Sequence, residues 1–154
     1  MQAYEGGGHA YHATMPTDAL TVLRDAMNQT REMGWEQACL AQQKLGAEVR
    51  EMLREMGFKS VAAPGYEAPG VVVSYTQDPD IQSTRKFAQV GVQAAAGVAL
   101  QCDEPPAFKT FRIGLFGLDK LSHPERTVDL LRSALSEMLQ QQEVLENAGV
   151  AGRG

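Results

Sequence analysis

The chain has 154 residues, 44% of them hydrophobic, with a formal net charge of −5, which suits one ordinary domain with an apolar core and lacks the clustered basic face that a nucleic-acid partner requires. No apolar run approaches the roughly 18 residues of a membrane span, and no charged-then-apolar leader opens the sequence, so neither a transmembrane segment nor a signal peptide is expected. Cys39 and Cys102 stand apart from any CxxC or Cys/His cluster, which fits reduced thiols in a cytoplasmic protein.

Residues 1–16, MQAYEGGGHAYHATMP, have no helical periodicity and carry three consecutive glycines. They read as an irregular lead-in that would fray on its own. Thr17 or Asp18 is expected to cap a first helix that reaches Met33 and stops at Gly34, with Leu20, Leu23 and Met27 on one stripe. A second helix is expected over 35–56, with Leu45, Val49, Met52, Leu53 and Met56 at helical spacing and Gly57 just past its end.

Beyond Phe58 the pattern changes. A short segment over 58–62 and the turn-rich AAPGYEAPG lead to Val71–Tyr75, a β-branched run that reads as a strand. Asp78-Pro79 opens a third helix with Ile81, Phe87 and Val90 inward, and a short strand is expected near 93–95. TFRIGLF, residues 110–116, is a clear strand. Ser122 and Glu125 then match an S-x-x-E capping box ahead of a last helix carrying Val128, Leu131, Leu135 and Met138. The closing NAGVAGRG, residues 147–154, reads as a disordered tail. Mixed helices and strands without strict alternation predict an α+β fold over 17–146: a two-layer domain with a small, mostly antiparallel sheet covered by helices. That element list is shared by many functions.

Arg112 is the most informative residue, because it interrupts an apolar strand. Alternation puts Phe111, Ile113 and Leu115 on one face and Arg112 on the other, beside Gly114. A guanidinium on a rigid strand next to a glycine leaves room for a carboxylate to pair through two hydrogen bonds. An edge-strand arginine facing water, or one paired with a core acid, would satisfy the same pattern. Tyr11, His12 and Thr14 place three hydrogen-bonding side chains in four residues, a group that could serve a phosphate or simply form a polar turn before the helix.

His9 and His12 lack a third ligand at suitable spacing, so no metal site is expected. The triple glycine follows no strand and precedes no GK[ST], so it is not a phosphate-binding loop. None of the five lysines, Lys44, Lys59, Lys86, Lys109 and Lys120, lies in an apolar stretch that would lower its pKa.

Taken together, YHATMP at 11–16 with the following LxxLRxAM helix, and FRIGLFG at 111–117 before the terminal helix, resemble the Y-H-x-T-x-P and R-I-G-x-x-G segments of the class V, alanine–glyoxylate aminotransferase-like branch of fold-type I PLP enzymes. The resemblance implies that the chain is the C-terminal small domain of a transferase that moves an amino group between an amino acid and a 2-oxo acid. It implies further that Arg112 binds the substrate carboxylate, with Gly114 and Gly117 beside it. Tyr11 and Thr14 would reach the phosphate of pyridoxal 5'-phosphate across a homodimer interface.

The family's Schiff-base lysine, its aspartate on the ring nitrogen and its stacking aromatic all lie upstream of the YHxT segment, and no position here matches them. The chain is therefore expected to be a fragment, inactive and without bound cofactor when separated from its N-terminal large domain. The competing expectation is a stand-alone, non-enzymatic α+β module that binds small carboxylates or mediates association. A different enzyme built on Glu5, His9 and His12 has only nearness in sequence behind it.

Overall fold

The computed structural model describes residues 5–8 and 14–151, with side chains described as far as residue 141. The chain divides into two compact units, Met1–Trp35 and Glu36–Gly154.

The first unit contributes helix α1, Thr17–Met33. Its N-cap is Pro16, with no side-chain cap; neither Thr17 nor Asp18 plays the expected role. The Thr17 amide instead donates to Met15 O at 2.8 Å, which turns the chain one residue early and puts both side chains inside the first turn. There Asp18 still opposes the positive end of the helix dipole. Gly34, at φ 92°, ends the helix with its N–H on the carbonyls of Thr30 and Arg31. No residue of α1 is buried, and Leu20, Val22, Leu23 and Met27 are all exposed.

The second unit is α+β. Helix α2 (Trp35–Glu55) is followed by strand β1 (Val71–Tyr75), two short helices α3 (Pro79–Gln82) and α4 (Arg85–Gln89), and strands β2 (Ala95–Ala96) and β3 (Thr110–Gly114). Helices α5 (Leu118–Ser122) and α6 (Pro124–Ala151) complete it. The sheet is antiparallel throughout, in the order β1-β3-β2. Segment 59–61 lines the free edge of β1, with Tyr75 N donating to Lys59 O and Val61 N to Val73 O.

One face of this sheet is the core. Val72, Phe111 and Ile113 point into it and meet Leu45, Val49, Met52 and Leu53 of α2, Phe87 of α4 and Leu131, Leu135 and Met138 of α6. The Phe111 ring lies edge-on to Phe58 at 5.1 Å and tilted against Phe87 at 5.0 Å. Burying each large side chain of this set contributes about 1.5–3 kcal/mol.

Two expectations about helices are corrected. The third helix is split: Thr84 adopts φ 65° between α3 and α4, so Ile81 and Phe87 enter the core from separate short pieces. The S-x-x-E capping box does not form. Ser122 closes α5 with its Oγ on Leu118 O at 2.8 Å, and α6 begins at Pro124, whose missing N–H suits a first-turn position. Glu125 turns to Lys44 Nζ at 3.3 Å instead. Among the described residues, no helix is long and apolar enough to cross a membrane.

Candidate carboxylate-binding site

The face of the sheet opposite the core carries Val71, Val73 and Tyr75 of β1, Arg112 and Gly114 of β3, and Ala95 of β2. Val71, Val73 and Arg112 are half-buried, whereas Tyr75, Ala95 and Gly114 are exposed. In register, Arg112 sits between Val73 and Ala95. It is on the central strand, not an edge, so the reading of a solvent-facing edge arginine does not apply.

Arg112 Nε donates to Ala96 O at 3.0 Å. The ion pairs of the second unit lie elsewhere, on Lys44, Arg54, Arg85, Lys86, Lys120 and Arg132, and among the described residues no carboxylate pairs with Arg112. The alternative of a core acid as its partner therefore falls away within the described residues. A guanidinium tied by one nitrogen only, on a half-apolar surface, keeps strong donors for an incoming anion.

Gly114 leaves space beside it. A Cβ built there would meet only the Phe116 ring edge, at 3.8 Å. Nothing in the described chain requires glycine at that position, and the room it leaves opens on the Arg112 side of the strand. At the other end of the face, the Tyr75 and Phe108 rings meet edge-on at 5.6 Å.

The other residues singled out from sequence stand as follows. Thr14 is exposed and belongs to the Met1–Trp35 unit. Tyr11, His9 and His12 lie outside the described residues. Among the described residues, no group of three metal-ligating side chains occurs.

The lysines do not supply a cofactor amine on the Arg112 face. Lys44 pairs with Glu48 and Glu125, Lys86 with Asp78 and Lys120 with Asp119. Lys59 is exposed, and none of the five is among the residues in register around Arg112.

Sequence reasoning missed the supports of this sheet. Gln42 Nε2 donates to Pro69 O at 3.0 Å and Leu115 O at 3.4 Å, and Arg50 donates to Ala68 O at 3.0 Å and Val71 O at 3.4 Å. These bonds hold the entry to β1 against α2. Their acceptors are backbone carbonyls, which leave no mark in the sequence. The one available signal was the i, i+4 spacing of Gln42, Gly46 and Arg50 on a single helix face. A cleft of about 680 Å³ between α2 and residues 60–69 is lined by Arg50, Arg54, Glu51 and Glu67, and it does not include Arg112.

No protein-family profile matches this chain, and no curated protein sequence does. Solved structures do. The chain superposes on an alanine–glyoxylate aminotransferase from Nostoc sp. with a TM-score of 0.67 at 24% identity, covering 84% of this chain and 33% of that one. It superposes on a ureidoglycine–glyoxylate aminotransferase from Bacillus subtilis with a TM-score of 0.61 at 19% identity, covering 77% of this chain and 30% of that one. At these identities the likeness is one of fold: the chain has the architecture of a small domain of class V aminotransferases. It spans about a third of the length of those enzymes.

Proposed function

We propose that the chain is the substrate-carboxylate-binding small domain of a PLP-dependent aminotransferase acting between an amino acid and a 2-oxo acid. The observation that carries this is Arg112: a guanidinium on the central strand, half-buried, with no acidic partner among the described residues and with open space beside it at Gly114. Both solved structures reported above are glyoxylate aminotransferases, which favours a small 2-oxo acid as acceptor.

In this reading the fork of Arg112 holds the carboxylate and fixes the substrate's α-carbon, converting a diffusional encounter into a positioned one. Pyridoxal 5'-phosphate would supply the electron sink and would be carried by a lysine outside this chain. The motif around Tyr11 and Thr14 supports a role for their hydroxyls at the cofactor phosphate of a neighbouring subunit in a homodimer. The large domain and the second subunit are then the partners of this chain.

Pyruvate titrated into the isotope-labelled chain tests the carboxylate site. The expected result is that the Arg112 side-chain resonances move more than those of exposed Arg126 and Arg132, and that Arg112→Lys removes the effect. Equal movement of all three would sink the reading. Mixed with pyridoxal 5'-phosphate, alanine and glyoxylate, the chain alone should not turn over. A stoichiometric, borohydride-reducible adduct on one of its five lysines would contradict the assignment of the amine to another segment.

A further inference from the structure

The peptide group joining Ala96 to Gly97 is held at both polar ends. Its N–H, on Gly97, donates to Thr110 O at 2.9 Å. Its C=O, on Ala96, accepts from Arg112 Nε at 3.0 Å. The N–H and C=O of a trans peptide point in opposite directions. With the N–H aimed at β3, the Ala96 carbonyl faces the outer edge of β2, where, among the described residues, the sheet has no further strand. The Arg112 side chain reaches over β2 to satisfy it. Each of the two bonds polarises the shared peptide in the sense that strengthens the other.

Residue 97 decides whether this peptide can dock. A Cβ on Gly97 would lie 2.0 Å from Thr110 Oγ1 and 2.2 Å from the Thr110 carbonyl oxygen. Thr110 is itself buried, at 2% exposure, and has no room to retreat. Any side chain at 97 therefore lifts the peptide from β3 and carries the Ala96 carbonyl away from Arg112.

A carboxylate can meet a guanidinium end-on, through Nη1 and Nη2, or side-on, through Nε and one Nη. With Nε engaged by Ala96, only the end-on fork remains. We propose that Gly97 is a positioning residue for Arg112: by letting the Ala96–Gly97 peptide dock on β3, it commits the guanidinium to end-on reception of the substrate carboxylate. This rests on the reading of Arg112 given above.

Side-chain nitrogen NMR of the whole chain provides the test. Arg112 Nε–H should exchange slowly, resolve from exposed arginines such as Arg126 and Arg132, and show a through-hydrogen-bond coupling to the Ala96 carbonyl carbon. Gly97→Ala should merge the resonance with those exposed arginines and weaken pyruvate binding roughly tenfold, the loss expected when a charge-assisted fork is disoriented. The methyl signals of Val72 and Ile113 should stay in place. As a control, Ala96→Gly, which keeps the peptide but adds nothing at 97, should preserve the Nε signal.

An Nε signal unchanged in a folded Gly97→Ala chain overturns the proposal. Should that variant fail to fold, the coupling in the unsubstituted chain decides: its absence overturns the proposal, and its presence sustains it. If pyruvate moves no arginine while the Nε signal responds to residue 97 as described, the carboxylate reading fails and the link between Gly97 and Arg112 stands.

Discussion

Gly46 of α2 lies directly against the backbone of Pro69: a Cβ at residue 46 would sit 2.5 Å from the Pro69 carbonyl oxygen and 2.8 Å from its Cα. That same oxygen accepts from Gln42 Nε2, so the contact seats the loop that leads into β1. Alanine at 46 would force the loop away and break the Gln42 bond. Overpacking of this kind costs about 1–3 kcal/mol, against a gain of about 1 kcal/mol for replacing glycine in a helix. Gly46→Ala is therefore expected to destabilise the domain, read as a lower urea midpoint with unchanged slope.

Asp78 caps α3, accepting from Asp80 N at 2.7 Å and Ile81 N at 3.2 Å, and its other oxygen pairs with Lys86. Burial alone would raise its pKa; Lys86 and the two backbone donors outweigh that and hold it below the ordinary aspartate value. A depressed folded-state pKa means stability that is present above the unfolded value and lost as pH falls through the folded one. Asp78→Ala should cost about 0.5–2 kcal/mol for the cap and should flatten the loss of stability below about pH 4. Chemical denaturation at several pH values checks both.

The loop between β2 and β3 is organised around the Glu104 carboxylate. It accepts from Gln101 N at 2.9 Å and Cys102 N at 2.8 Å, and also from Leu100 N. Together with its own amide, these donors lower its pKa to about 2. Its carboxyl carbon should titrate well below the ordinary glutamate value. The contribution to loop order is complete above the unfolded glutamate value and lost as the pH falls toward about 2. Glu104→Gln should speed amide exchange at 100–102 and leave the core unchanged.

Gly114→Ala separates folding from binding. The added methyl meets only the Phe116 ring, at 3.8 Å, an ordinary contact, and alanine restricts the unfolded chain, so stability should be unchanged or rise by about 0.4–1 kcal/mol. The space beside Arg112 narrows at the same time. Pyruvate binding should weaken while the thermal midpoint holds or increases; weaker binding with a falling midpoint would assign Gly114 to structure instead.

Much of this architecture was legible in the sequence because it is carried by periodicity. The stripes of α2 and α6, the β-branched run of β1 and the alternation around Arg112 follow from side-chain identity. The misread points depend on partners distant in sequence or on the backbone. Thr84 breaks a helix through its own φ, Pro124 replaces Ser122 as the start of α6, and Ala96 serves Arg112 through a carbonyl that every residue possesses. Arg112 stood out because a charge in an apolar strand is costly without a purpose. What holds it did not, because an alanine and a glycine carry no chemical signature.

Arg112 stands in register between Val73 of β1 and Ala95 of β2, its backbone polar groups facing β2 while those of Phe111 and Ile113 face β1, and Phe111 beside it is wholly buried in the core. The amides of Phe111 and Ile113 belong to the part of the molecule that opens last, so their exchange with solvent should track global unfolding. A receptor group mounted there keeps its root fixed through partial loosening of the helices and loops around it, while its aim is set by the Ala96–Gly97 peptide at the edge of the sheet.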